Sequence, residues 1–430
     1  MSAPPLDAEI LAIGRDLASA FPKASRRPLK ALDDKAMDLA SQDADLKAAL
    51  FRFVDVVPAC RNLDDLARHL TGFLDEVETQ PPPIRAAMKM GNSRAGRTAL
   101  GAASAAGVKH MAHRFIVGAT PRDALPTLRQ LWKRGILTSV DLLGEATVTS
   151  AEAERYADRC HDALDQLGAA DKDPNLSVKV SALTPLLRPD APERGKQDAA
   201  PRVRRLLQHA KEVGAHLHID MESLDTREAV TDLVLELLAE PEFADGPSAG
   251  IVLQAYLRDS PELLDRILAG PDREPPLVIR LVKGAYWDHE VVDARQHGWE
   301  PPVFEVKAES DQNFEELTRR LLDARPAVRV AVASHNLRSL AHAVAYNRAS
   351  GRPDTDVELQ VLRGLGDDLQ DALAASGLRV RTYCPVGDLV SGMAYLVRRL
   401  LENTSNDSFL HEQASGIPLE ELLAAPGALR

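Results

Sequence analysis

From the start of the chain to about position 110, apolar side chains recur at three- and four-residue steps. Ala31–Phe53 and Leu63–Leu74 are such stretches, the second reading LDDLARHLTGFL, and this period predicts amphipathic helices. Gln80-Pro81-Pro82-Pro83 breaks one helical piece from the next. Ala99–Gly107 (ALGAASAAG) is rich in small residues, which suits close helix packing and a flexible connection equally. Its neighbours Arg94, Arg97 and Lys109 form a modest basic stretch, read as a solvated face.

From about residue 112 the texture changes. Short β-branched runs alternate with helical segments: HRFIVG, then ILTSVDLLGE (136–145), LSVKVSAL (176–183), HLHIDMES (216–223) and GIVLQAYL (250–257). They continue with LVIRLVKGAYWD (277–288), VRVAVASHN (328–336), VELQVLRG (357–364) and LRVRTYCPVG (378–387). Strands alternating with helices imply parallel βαβ units. Eight such strands follow residue 136, the number that closes a (β/α)8 barrel. A doubly wound open sheet competes, but no GxGxxG follows any strand. The expected fold is therefore α/β: a TIM-type (β/α)8 barrel over 111–430, preceded by an all-helical segment over 1–110.

Composition narrows the function. The chain has 430 residues, 45% of them hydrophobic, 27% charged and 4% aromatic, so its core is mainly aliphatic. A net charge of −12 argues against general attraction to nucleic acid. Cys60, Cys160 and Cys384 lie far apart with no CxxC spacing, which excludes a disulfide framework and suits a reducing cytosol. The opening MSAPPLDAEILAIG lacks a basic region leading into an apolar core, so no secretory signal is expected. No apolar run reaches the ~18 residues of a membrane span.

In a barrel of this kind chemistry sits at the C-terminal ends of the strands. Asp141 and Glu145, Lys179 and Ser181, Asp220 and Glu222, Gln254, Arg280, Lys283 and Trp287, His335 and Asn336, and Tyr383 all collect there. A last helix over 389–403 adds Arg398, Arg399 and Glu402. Each has a bland reading. Lys179 with Asp220 is also a packing pair, and Arg398 with Glu402 an ordinary i,i+4 pair. Lys179 and Lys283 equally satisfy the position of a Schiff-base lysine, so an aldolase is an alternative.

Three blocks together point further: RLVKGAYWD at 280–288, ASHN at 333–336 and YCPVGDLVSGMAYLVRRLLEN at 383–403. With DLLGEA (141–146), SVKVSAL (177–183), HIDMES (218–223) and VLQAYL (252–257), they resemble flavin-dependent proline dehydrogenase. The form they resemble most is the barrel of the bifunctional proline utilization A proteins, across roughly residues 112–412. The resemblance implies oxidation of L-proline to Δ1-pyrroline-5-carboxylate, non-covalent FAD, and a membrane quinone as electron acceptor. It implies a cytoplasmic protein with transient peripheral membrane contact, in which 1–110 forms a helical arm and small helical domain that wrap the barrel, the arm mediating self-association. Hydroxyproline or another cyclic amino acid is the alternative substrate.

By resemblance, Arg398, Arg399 and Lys179 clamp the proline carboxylate, a task suited to charge-assisted hydrogen bonds. Tyr383 packs on the substrate ring, Asp220 bonds from beneath, Leu396 is an apolar wall, and Glu145 pairs with Arg398 to gate the site. Arg280 stands beside the flavin's reactive nitrogen. Gln254, Arg280, Val282, Gly284, Ala285 and Trp287 contact the cofactor, His335 and Asn336 its pyrophosphate or adenosine, and Glu402 its ribityl chain. No metal is implied. The chain departs from the family pattern at Glu358-Leu359-Gln360 and Arg363-Gly364-Leu365, read as a loop after strand 7 near the adenine, and in ASHN. No ribbon-helix-helix pattern opens the chain, and no aldehyde dehydrogenase sequence follows the barrel within it.

Overall fold

The structure, a computed structural model, describes residues 6–22, 43–78, 80–144, 146–270, 272–388, 392, 395 and 417–427. Among them five helices come first: α1 (Leu6–Ser19), α2 (Ala44–Val56), α3 (Leu63–Asp75), α4 (Pro82–Met90) and α5 (Arg94–Phe115). Local chemistry sets their ends. Asp43, Asn62 and Ser93 cap α2, α3 and α5 by accepting backbone N–H bonds, and Pro82 opens α4, where its missing N–H costs nothing. The proline run therefore starts the second of two helices, the first having ended at Asp75. Ala99–Gly107 resolves as the middle of α5. Its Gly101 lies so near α3 that a Cβ would stand 2.0 Å from the Leu63 carbonyl oxygen.

Helix α6 (Pro121–Trp132) then leads into the barrel. In chain order follow β1 (Leu137–Leu142), α7 (Ser150–Ala170), β2 (Asn175–Lys179), α8 (Pro192–Glu212), β3 (His216–Asp220), α9 (Leu224–Leu238) and β4 (Ser248–Gln254). The second half runs α10 (Ser260–Leu268), β5 (Leu277–Val282), α11 (Trp287–His297), α12 (Lys307–Asp323), β6 (Val328–Ala333), α13 (Leu337–Ala349), β7 (Val357–Leu362), α14 (Asp367–Ala375) and β8 (Val380–Val386). All eight strands are parallel, and β8 closes on β1 with Ser139 opposite Tyr383. The expected barrel is there, its strands shorter than the runs that announced them. HRFIVG is not a strand of it: α5 extends through Phe115, and Val117 and Gly118 lie along the end of β8.

Two apolar clusters hold this together. The larger fills the space between strands and surrounding helices with Leu, Ile, Val and Ala. Helix α1 belongs to it, through Ile10, Ile13 and Leu17, together with Leu423 near the chain's end. Buried Arg338 on α13 ties the same region, bonding Glu315, Asp7 and the Leu423 carbonyl at 2.8 to 3.0 Å. Within 1–110, then, α1 packs on the barrel wall, while α2 to α5 build the smaller cluster. That cluster reaches the barrel mouth through Ile116, Leu143, Leu365 and Tyr395.

Candidate active site

Inside the barrel, polar side chains recur at every second strand position. Ser139 and Asp141 lie on β1, Ser177 and Lys179 on β2, His216, His218 and Asp220 on β3. Glu358 and Gln360 lie on β7, Arg381 and Tyr383 on β8. Period two is the pleat of a strand, so each set points to one face. Hydrogen bonds that span strands, such as Arg280 on β5 to Ser139 on β1, identify that face as the barrel interior. Space is made for them where needed: at Gly250 on β4 a Cβ would meet His218 at 2.3 Å.

Four of the predicted residues converge at the C-terminal mouth. Asp220 accepts from Arg280 Nη1 at 2.5 Å and from the Tyr383 hydroxyl at 2.6 Å, and Lys179 Nζ stands 3.7 Å away. Lys179 donates to Asp141 on the neighbouring strand. The Arg280 guanidinium also lies over the Tyr383 ring, 5.4 Å from its centroid. Its other nitrogens bond Gln360 Oε1 at 2.7 Å and Ser177 Oγ at 3.1 Å.

The electrostatics follow from burial and neighbours. Burial works against the Lys179 charge, but Asp141, Asp220 and Glu222 outweigh it and raise its pKa above the usual lysine value. The charged form is favoured, which argues against a Schiff-base role for Lys179. Lys283 is pushed down by burial, yet Asp311 holds it in an ion pair. Tyr383 is raised well above 10, first by burial and then by Asp141 and Asp220, so it stays a phenol and a donor.

The expected cofactor residues divide. Gln254 and Val282 end β4 and β5 and face each other in register. The Gln254 amide oxygen is buried without a hydrogen-bond partner among the described residues. A buried acceptor of this kind is costly unless something satisfies it. One strand from Arg280 and two positions nearer the C-terminal end, it suits a flat ring system bearing both an N–H and acceptor oxygens, as an isoalloxazine does. These residues fit FAD. Gly284 has φ +136°, and its Cβ would enter the Tyr256 ring, so only glycine serves there. Ala285 follows it in the loop before α11. Trp287 donates its indole N–H to the Phe304 carbonyl at 2.9 Å. His335 accepts from the Leu362 backbone N–H at 2.9 Å, and Asn336 caps α13. Glu145, Leu396, Arg398, Arg399 and Glu402 lie outside the described residues.

One reading is corrected. Glu358 and Gln360 are not in a loop toward the adenine: they belong to β7, as the run VELQVLRG by itself predicts, and both side chains are inside the barrel. Gln360, Ser139 and Ser177 had no assigned role, although their alternate spacing in otherwise apolar strands marked them as interior.

The chain matches the family model for proline dehydrogenase over residues 124–412. It belongs to the proline dehydrogenase family, a family of oxidoreductases. Residues 7–115 match the model for the proline utilization A N-terminal domain, which singles out the PutA-like branch. The bifunctional protein PutA of Salmonella typhimurium is 35% identical over 335 residues, covering 74% of this chain and 25% of that one. The proline dehydrogenase of Deinococcus radiodurans is 33% identical over 306 residues, 70% of this chain and 89% of that one. Among solved structures, proline utilization A from Bdellovibrio bacteriovorus, inactivated by N-propargylglycine, superposes with a TM-score of 0.89 at 33% identity. It covers 99% of this chain and 44% of its own. The chain thus spans about a quarter of the length of the curated PutA relatives.

Proposed function

We propose that this chain oxidises L-proline to Δ1-pyrroline-5-carboxylate with FAD, the reducing equivalents passing to a membrane quinone at the cytoplasmic face. The observation that carries the reading is the convergence of Lys179, Asp220, Arg280 and Tyr383, from four different strands, on one hydrogen-bonded mouth. FAD, when bound, supplies the hydride acceptor. Gln254, Arg280, Val282, Gly284 and Ala285 would hold its ring end. Trp287, His335, Asn336 and Glu402 would hold the remainder.

The protein's own groups orient the substrate. An ammonium has three N–H donors and Asp141 takes one, leaving Lys179 able to bind a carboxylate. Arg398 and Arg399 complete that clamp, as the family resemblance implies. Orientation of this sort supplies much of an enzyme's advantage. Tyr383 stays neutral and donates to Asp220, keeping one carboxylate fixed beneath the substrate ring. Arg280 contributes a fixed positive charge where negative charge develops. Glu145 would pair with Arg398 and shut out water. The membrane contact rests on the family resemblance, since no helix among the described residues is long and apolar enough to cross a bilayer.

The test is anaerobic titration with L-proline while following oxidised-flavin absorbance. Bleaching that saturates with L-proline and not D-proline is expected. A yellow protein that responds only to hydroxyproline would overturn the substrate, and a protein unable to take up FAD would overturn the enzyme.

A further inference from the structure

Arg280 brings a guanidinium to the mouth, and its orientation is set from below. Its Nε–H donates to Gln360 Oε1 at 2.7 Å, and Gln360 Nε2 in turn donates to Glu358 Oε1 at 2.8 Å. Arg280 is on β5 and Gln360 on β7, so the contact passes the strand between them. That strand presents Ala331 opposite Arg280 and Ala333 opposite Gln360, small side chains that leave the path open.

The direction of the amide is not free. Ionised Glu358 can only accept and the Arg280 Nε–H can only donate, so the NH2 of Gln360 faces the carboxylate and its oxygen faces Arg280. Burial pushes the Glu358 carboxyl up, but Arg381 and Arg379 outweigh it and hold the group well below the usual carboxylate range. Arg381 bonds both Glu358 oxygens, at 2.7 and 3.1 Å, and also the Thr138 carbonyl at 2.8 Å. A chain of partners therefore runs up the barrel axis, from Asp173 and Arg381 at the closed end to Arg280 at the mouth.

We propose that Gln360 is a positioning residue for Arg280: anchored by Glu358, it fixes the plane and place of the cation that faces the flavin. The inference rests on the flavin reading above. Gln360 touches neither substrate nor cofactor in this role. Without its oxygen, the Nε–H loses its acceptor in a dry interior, and the guanidinium swings toward the partners that remain, Asp220 first. A displaced cation stabilises the reduced flavin less.

The decisive variant is Gln360→Met, similar in length and lacking both hydrogen bonds. In the FAD-loaded full chain we expect the preference for reduced flavin to weaken about ten-fold. For a two-electron couple that is a shift of about −30 mV in midpoint potential. The kcat for proline falls by about the same factor while KM changes little, because the carboxylate clamp is untouched. In an Arg280→Met background the same substitution has no further effect on potential, which a merely structural role would not predict. Gln360→Asn, one methylene too short to reach both partners, gives the same direction and serves if Gln360→Met does not fold. Unchanged potential and kcat in an FAD-loaded, proline-reducible protein would overturn the relay alone. A wild-type chain that takes up no FAD would overturn the flavin reading instead.

Discussion

Tyr383 offers the most direct probe of the mouth because two separable interactions meet on it. Its hydroxyl donates to the Asp220 carboxylate at 2.6 Å, and its ring lies under the Arg280 guanidinium at 5.4 Å. A hydrogen bond to a charged group contributes about 1.5–3 kcal/mol net. A desolvated cation–π contact adds about 2 kcal/mol. Tyr383→Phe removes the first and keeps the second. Asp220 still has Arg280 and Lys179, so the loss should be about 2 kcal/mol, inside the range for one such bond. Tyr383→Leu removes both and should cost about 2 kcal/mol more. Urea unfolding followed by tryptophan fluorescence reads the difference, with the slope held common so that midpoints compare directly. Trp132 is a suitable reporter, since its indole bonds Thr138 on β1. If Phe and Leu are equally destabilised, the ring–guanidinium contact contributes nothing. If Phe matches wild type, the hydroxyl bond to Asp220 is not formed.

Gly101→Val should destabilise the helical unit by about 1–3 kcal/mol, because overpacking forces α5 away from Leu63; faster limited proteolysis between α3 and α5 would register it, and an unchanged digest would refute the close approach. Acid should unfold the protein through its buried histidines. His216 and His342 are pulled down to about 3, chiefly by burial, so each remains neutral when folded and takes up a proton on unfolding. Their contribution is complete above about pH 6.5 and is lost as pH falls toward 3, about 2 kcal/mol per histidine already at pH 5. A melting temperature flat from pH 7 to pH 4 would contradict this, and His342→Gln should make the decline shallower.

Much of the fold was legible because its signals are local. A change of period near residue 112 separates helices from alternating strands, and proline and capping residues mark the ends. The expected barrel therefore stands, with its eight strands in order. What period alone could not resolve was whether Ala99–Gly107 is helix or linker: small residues carry little periodic contrast, and the answer comes from packing against Leu63. Periodicity alone likewise does not place α1, whose apolar face looks like those of the helices that follow it; the resemblance implies an arm on the barrel, and Leu423 and Arg338 supply its contacts.

The site divides along the same line. Lys179, Asp220, Arg280 and Tyr383 could be nominated one at a time, since each ends a β-branched run or lies within one. Their mutual bonds depend on closure, which brings β5 within reach of β1, β3 and β7 across the interior. That is why Gln360 was misplaced. Taken along the chain, it sits next to a turn with an altered motif. Taken across the barrel, it lies between Arg280 and Glu358, where its amide can satisfy both in only one orientation. In a closed parallel barrel, then, polar residues at alternate strand positions are best read across the strands as layers. A mouth-facing cation is held by the layer beneath it as much as by its neighbours at the rim.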